Sequence, residues 1–246
     1  MSVDLEVRAS AAIVTMNWPE RRNALDPERA TEVAGAIGEA ASLDVAAVVV
    51  TGNGAFCSGG DLRYFAALAA TATPEDVADQ VYGRVQALTR ALRDSPLPTI
   101  AAVDGAAVGL GLDLALSTDQ RFAGPRAAFV QGWGALGLIH GTAGFAFLER
   151  ERPGVAWRLL ATQERVDREA AVELGIAERG EPTALEAAVE RAGRLAALPR
   201  ATREAYVSLA REVRWPSDDY FRRCADVQSR LLVSEEFQTA AARVLA

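Results

Sequence analysis

Lysine is absent from the 246 residues, so all 26 basic side chains are arginine. Without Gly-Lys-Ser/Thr there is no phosphate-binding P-loop, and without a lysine amine there is no Schiff-base chemistry. Histidine occurs once, at His140, and cysteine twice, at Cys57 and Cys224. That set is too poor for a zinc site or a disulfide framework, and it fits a reducing compartment, so no metal is expected. The N-terminus has no basic stretch leading into an apolar one, and no apolar run approaches the ~20 residues that span a bilayer. A cytoplasmic protein without a membrane partner is expected. The net charge of −7 and a pI near 5.0 argue against nucleic acid as a partner. Repeats, heptads and low-complexity tracts are also missing.

Half of the residues are apolar, enough for one substantial core with a helical appendage. Val3 to Arg8 and Ala11 to Asn17 read as an antiparallel strand pair. Asp26-Pro27 opens a helix to about Ala41, and Val45 to Thr51 is a β-branched run suited to a buried parallel strand. Strand, helix, strand is the order of an α/β fold. Residues 61–70 read as a helix, 69–74 as a loop, and Pro74 to Asp94 as one long amphipathic helix. Short strands are expected near Gln120 to Ala123, Ala127 to Val130 and Ile176-Ala177. Beyond Val155 the chain is largely helical, with Pro182, Pro199 and Pro216 between helices. The change in composition places a soft boundary near 190, dividing a core of 1–190 from a helical region of 191–246.

Two stretches carry the functional signal. Val48 to Leu62 reads V-V-V-T-G-N-G-A-F-C-S-G-G-D-L, and Val103 to Asp119 reads V-D-G-A-A-V-G-L-G-L-D-L-A-L-S-T-D. Each is an apolar strand, then a glycine turn, then a helix start. Such a corner presents free backbone N–H groups, and two corners can place two of them on one oxygen.

Together with W-P-E-R-R-N-A-L at Trp18 to Leu25, these motifs resemble the crotonase (enoyl-CoA hydratase/isomerase) superfamily over essentially the whole chain. The resemblance implies a ββα spiral core and a C-terminal helical trimerisation region, as a homotrimer or a dimer of trimers. It implies an acyl-CoA thioester as substrate, with fatty acid metabolism as the setting and no separate cofactor. The oxyanion-hole donors then fall on the N–H groups of Gly60 and Leu110. The loops that grip CoA fall on Arg22, Ala24, Ser58, Gly59, Asp61, Leu62 and Arg63, where Arg22 can pair with a phosphate.

The acid–base positions depart from the family pattern. Hydratases of this family carry two glutamates. The first matches Asp113, shorter by one methylene. The second matches Trp133, whose indole donates one hydrogen bond and cannot act as a base. His140 lies in a glycine loop, where it can orient a carboxylate or act as an acid near neutral pH. Gln131 and Asp61 are further polar candidates. Three readings stay open. The first is an enzyme of the hydratase/isomerase type, with Asp113 as lone carboxylate and Trp133 and His140 lining the acyl end. The second is a carboxyacyl-CoA decarboxylase or C–C bond hydrolase using His140. The third is a non-catalytic acyl-CoA-binding protein.

Overall fold

The structure, a computed structural model, describes residues 3–246. β1 (Val3–Arg8) pairs antiparallel with β2 (Ala11–Met16), and β2 runs parallel to β3 (Ala47–Gly52). β4 (Thr99–Val103), β6 (Gln120–Ala123) and β9 (Glu178–Arg179) complete a six-stranded sheet in the order β1-β2-β3-β4-β6-β9. α1 (Pro27–Ser42) links β2 to β3. Asp26 caps it by accepting from Arg29 N at 2.9 Å, with Pro27 at the first helical position.

Alternation along the strands explains their composition. Val14, Val48, Val50, Ala101 and Val103 face the main core beneath α1. Ile13, Val49, Ile100 and Ala102 face Ala184, Ala188 and Ala192 of α10 (Ala184–Ala196). Both faces are covered, so the strands carry unbroken apolar runs. Residue 190 lies inside α10, so the change in composition falls within a helix that packs on the sheet. Beyond Pro199 come α11 (Arg200–Arg214), α12 (Asp218–Leu232) and α13 (Glu235–Leu245).

After β3 comes α2 (Leu62–Ala69), and residues 74–94 then differ from the single helix expected. They form α3 (Pro74–Asp76), a π-helical stretch at Val77–Tyr82, α4 (Gly83–Val85) and α5 (Ala87–Asp94). Gly83 N bonds to Ala78 O, the wider π spacing, and the extra residue turns Val81, Tyr82 and Val85 all inward. The glycine turn of 105–111 also holds a strand, β5 (Ala106–Val108). It forms a second sheet with β7 (Ala128–Val130) and β8 (Arg165–Asp167), in the order β5-β7-β8. α6 (Leu110–Ser117) therefore starts at Leu110, before Gly111, and all of its residues are buried. The last strand lies at Glu178–Arg179, two residues beyond the expected Ile176-Ala177. α7 (Gly144–Glu151), α8 (Val155–Thr162) and α9 (Arg168–Glu173) surround the second sheet and its loops.

A charged clasp fastens α11 to the core. Asp119 accepts from Thr99 N and Thr99 Oγ1, both at 2.8 Å, and pairs with Arg211. Burial pushes the Asp119 carboxyl up, but Arg211 and Thr99 outweigh it and hold the group below its usual range. No helix among the described residues is long and apolar enough to cross a membrane.

Candidate active site

Both glycine corners sit at the C-terminal ends of parallel strands, β3 and β4, where open α/β sheets leave room for ligands. Three segments run side by side there. Leu25 N donates to Gly59 O and Asp61 N to Leu25 O, each at 2.8 Å. Cys57 N donates to Ala106 O at 2.9 Å, and Val108 N returns to Cys57 O at 3.0 Å. Gly111 must be glycine, because a Cβ would collide with the Cys57 carbonyl. Gly109 has φ of 52°, and this left-handed turn swings the chain from β5 into α6.

Counting donors along these segments isolates two amides. Cys57, Ser58, Gly59 and Asp61 N–H all have partners, whereas Gly60 N–H has none among the described residues. Gly109 N donates to Val130 O, whereas Leu110 N, first in α6, has no acceptor among the described residues. Gly60 and Leu110 both line one cavity of about 640 Å³.

The mouth of the cavity is polar. Asp61, expected to touch CoA, is largely occupied: it caps α2 through Arg63 N and pairs with Arg21 at 2.8 Å. Arg22 and Arg63 are exposed, line the mouth and have no ion-pair partner among the described residues. Ala24, Ser58, Gly59 and Leu62 line the same rim. Asn23, which the motif did not single out, fixes this rim. Its amide nitrogen donates to Ala55 O at 2.7 Å and its oxygen accepts from Trp18 N at 2.8 Å.

The inner end is apolar, and Trp133 forms part of its wall. The indole packs over Gly109, where a Cβ would lie 3.6 Å from Trp133 Cε2. Its N–H points away from the cavity toward Asp113 Oδ1 at 3.4 Å. Asp113 is wholly buried and His140 nearly so, and neither belongs to the cavity wall. His140 thus stands behind Trp133 rather than beside it at the acyl end. The carboxylate it orients is the protein's own: His140 Nδ1 lies 2.6 Å from Asp113 Oδ1, and Thr142 Oγ1 donates to Asp113 Oδ2 at 2.7 Å.

Gln131 and Gln163 assign the tautomer of this pair. Gln131 Oε1 accepts from Gly134 N at 3.0 Å and Gln163 Nε2 at 3.1 Å, which leaves Gln131 Nε2 facing His140 Nε2 at 3.4 Å. An amide N–H needs a lone pair opposite, so the His140 proton sits on Nδ1, toward Asp113. Thr142 and Gln163 escape sequence inspection because their partners lie on other elements. Burial pushes the Cys57 thiol up to about 12, which keeps it protonated near neutral pH. No cluster able to hold a metal occurs among the described residues.

The sequence model of the enoyl-CoA hydratase/isomerase family matches residues 6–243. A probable enoyl-CoA hydratase of Mycobacterium tuberculosis is 42% identical over 199 residues, 80% of this chain and 76% of that protein. The (E)-benzylidenesuccinyl-CoA hydratase of Thauera aromatica is 33% identical over 190 residues, covering 75% and 72% of the two chains. The crystal structure of an enoyl-CoA hydratase from Bacillus halodurans superposes with a TM-score of 0.89 over 99% of this chain and 100% of that one. At 21% identity, that likeness speaks for the fold alone.

Proposed function

The chain belongs to the enoyl-CoA hydratase/isomerase family, an acyl-CoA enzyme of that type, and from this premise we propose that Gly60 and Leu110 N–H together receive its substrate's thioester oxygen. The observation that carries the reading is the pair of unpartnered amides on two separate corners of one cavity. When the α-carbon of a thioester gains electron density, the carbonyl oxygen becomes an enolate. Two fixed donors stabilise that charge with no reorganisation, at roughly 3 kcal/mol for each donor. The exposed Arg22 and Arg63 guanidiniums at the mouth suit the phosphates of CoA. The apolar inner wall excludes water from the acyl group.

Asp113 and His140 are the acid–base pair nearest the acyl end, with Trp133 between them and the cavity. In hydration a proton goes to the α-carbon and hydroxide to the β-carbon; in isomerisation a proton moves from one carbon to another. Either path runs through this pair once the indole gives way.

The same position of Trp133 favours a second reading. The carboxylates that line the cavity, Glu20 and Asp61, stand at its mouth. Loss of CO₂ from a carboxyacyl-CoA leaves its electron pair on the α-carbon as an enolate, so the two donors suffice and no base is needed.

Leu110→Pro tests the donors. Proline is tolerated at the first position of a helix and replaces the N–H with its ring Cδ. Crotonyl-CoA turnover should fall on the order of 10²–10³-fold with folding retained. Full activity in that variant would remove the oxyanion role. CO₂ release from malonyl-CoA, without crotonyl-CoA turnover, selects the second reading. Tight binding of CoA esters with neither reaction leaves a binder.

A further inference from the structure

Gln131 is buried between His140 and the turn that carries Trp133. Its side-chain oxygen accepts from Gly134 N at 3.0 Å and from Gln163 Nε2 at 3.1 Å. Its nitrogen faces His140 Nε2 at 3.4 Å. Gly134 opens the 3₁₀ turn Gly134–Leu136, directly after Trp133. Gly132 and Gly137, with φ of 67° and 70°, bracket this turn and leave its backbone other conformations. The indole N–H bond to Asp113 is long, at 3.4 Å, and so holds Trp133 weakly.

The Gln131 amide, as it lies, serves one charge state of His140. With Nε2 bare, an amide N–H meets a lone pair. With a proton on Nε2, two donors face each other. His140 is 5% exposed, so that new N–H needs an acceptor inside the protein. Among the described residues Gln131 is the group placed opposite it. Half a turn of the amide brings its oxygen to Nε2. The same half turn sets its NH₂ against Gly134 N and Gln163 Nε2, both donors. Gln163 keeps Leu160 O, at 2.7 Å, whereas Gly134 N is left without an acceptor among the described residues. A doubly protonated His140 and the present bond of Gly134 therefore exclude each other.

The other titratable groups around His140 keep their charge state while it changes. Asp113, on α6, is the charged side chain in contact with it among the described residues. On α12, Tyr220 and Cys224 feel the Asp113 charge, and burial above all pushes them up, to about 12 and about 11. The Tyr82 ring lies against the His140 loop at Gly141, and burial pushes its phenol up as well. All three stay neutral near neutral pH.

We propose that Gln131 is a positioning residue that couples the charge of His140 to the turn carrying Trp133: a proton on Nε2 rotates the Gln131 amide, frees Gly134 and releases the turn that holds the indole in the cavity wall. Its bearing on catalysis rests on the acid–base reading of Asp113 and His140, because the proton that loosens the wall is the one this pair would give to carbon.

His140 is the sole histidine, so histidine labelled at its ring nitrogens gives one assigned pair of NMR signals from the full chain. The pH is lowered from ~8 to ~5 while hydrogen exchange at the Gly134 amide is followed, corrected for its intrinsic rate. At the upper end the single ring proton should sit on Nδ1. Protection of Gly134 should fall at least ~10-fold at the pH where the second proton appears. In Gln131→Leu, checked as folded by thermal melting, Gly134 should be unprotected throughout and show no step. Wild type alone can overturn the proposal. A neutral ring protonated on Nε2 does so, as does a second proton that leaves Gly134 protected. A ring that keeps one proton down to pH ~5 does so too, since the turn then has no event to follow. A step that survives in Gln131→Leu also overturns it. A step in wild type together with full crotonyl-CoA turnover in Asp113→Asn upholds the coupling and removes only the acid–base reading.

Discussion

His140 Nδ1 lies 2.6 Å from Asp113 Oδ1, and both side chains are sealed inside the protein. The carboxylate takes three donors, from His140, Thr142 and more distantly Trp133. The pair is built as an imidazole held by a carboxylate, with the Nε2 lone pair kept outward by Gln131. Gly144 gives it room, because a Cβ there would collide with Asp113.

Charge and geometry at Asp113 are separable. Asp113→Asn keeps an oxygen for His140 and a group that Thr142 can bond, so melting should shift by only about 1 kcal/mol. Asp113→Ala leaves the His140 and Thr142 donors unmatched and should cost about 2–4 kcal/mol. If the pair works on substrate, crotonyl-CoA turnover falls about 100-fold in both variants. Turnover that follows stability alone, retained in Asn and lost in Ala, makes Asp113 structural.

The corners on which this pair depends are legible in sequence because each follows an unbroken apolar strand and uses glycine where a side chain cannot fit. Asp26-Pro27 is equally plain, since a cap is a local device. What escapes is non-local. β5 is three residues between glycines, too short for a period, and is made a strand by Cys57 and β7. The π-helical turns at 77–82 keep the apolar stripe that a straight helix would show. Asp113, His140 and Gln131 look like separate candidates, because 27 and 9 residues of chain divide contacts that only loop packing creates.

Trp133 divides into a wall and a weak donor. Its N–H bond to Asp113 is long, at 3.4 Å, so Trp133→Phe should cost less than about 1 kcal/mol. Trp133→Ala removes the wall and should cost about 3–5 kcal/mol. It also opens Asp113 to the cavity, so the acyl range should widen toward bulkier groups. Melting curves together with turnover of short and branched enoyl-CoA esters check both parts. An unchanged acyl range in Trp133→Ala would mean that the indole does not border the acyl group.

Arg22 and Arg63 have no carboxylate partner among the described residues at the mouth, unlike Arg21, which is paired with Asp61. Arg22→Ala and Arg63→Ala should each weaken an acyl-CoA about 10-fold and leave the acyl-pantetheine, which lacks the nucleotide, at wild-type affinity. The wild-type preference for the CoA ester should shrink as salt rises, because these charges are exposed. Equal losses on both ligands would place these arginines away from the phosphates.

Acid should undo the C-terminal helices through Asp119. Its carboxyl, pushed up by burial but pulled down further by Arg211 and Thr99, titrates below the usual 3.8. A depressed folded value stabilises the protein above the unfolded value and ceases to do so as pH falls through the folded one. The Asp119 contribution is therefore intact above pH ~4 and lost only in stronger acid. Arg211→Met leaves a buried carboxylate with only the more distant Arg214, at 3.9 Å, as a cation, and the side chains of the Arg211 pair are only 12% and 15% exposed. Stability at neutral pH should drop by about 3 kcal/mol. Without Arg211 the Asp119 carboxyl is held down less, so less of its contribution is left to lose in acid, and the stability gap between variant and wild type should narrow as pH falls below ~4. Trp215, whose ring lies 5.8 Å from the Arg211 guanidinium, supplies the fluorescence that follows α11 detaching. A gap that stays constant down to strong acid would mean that another carboxylate governs the acid transition.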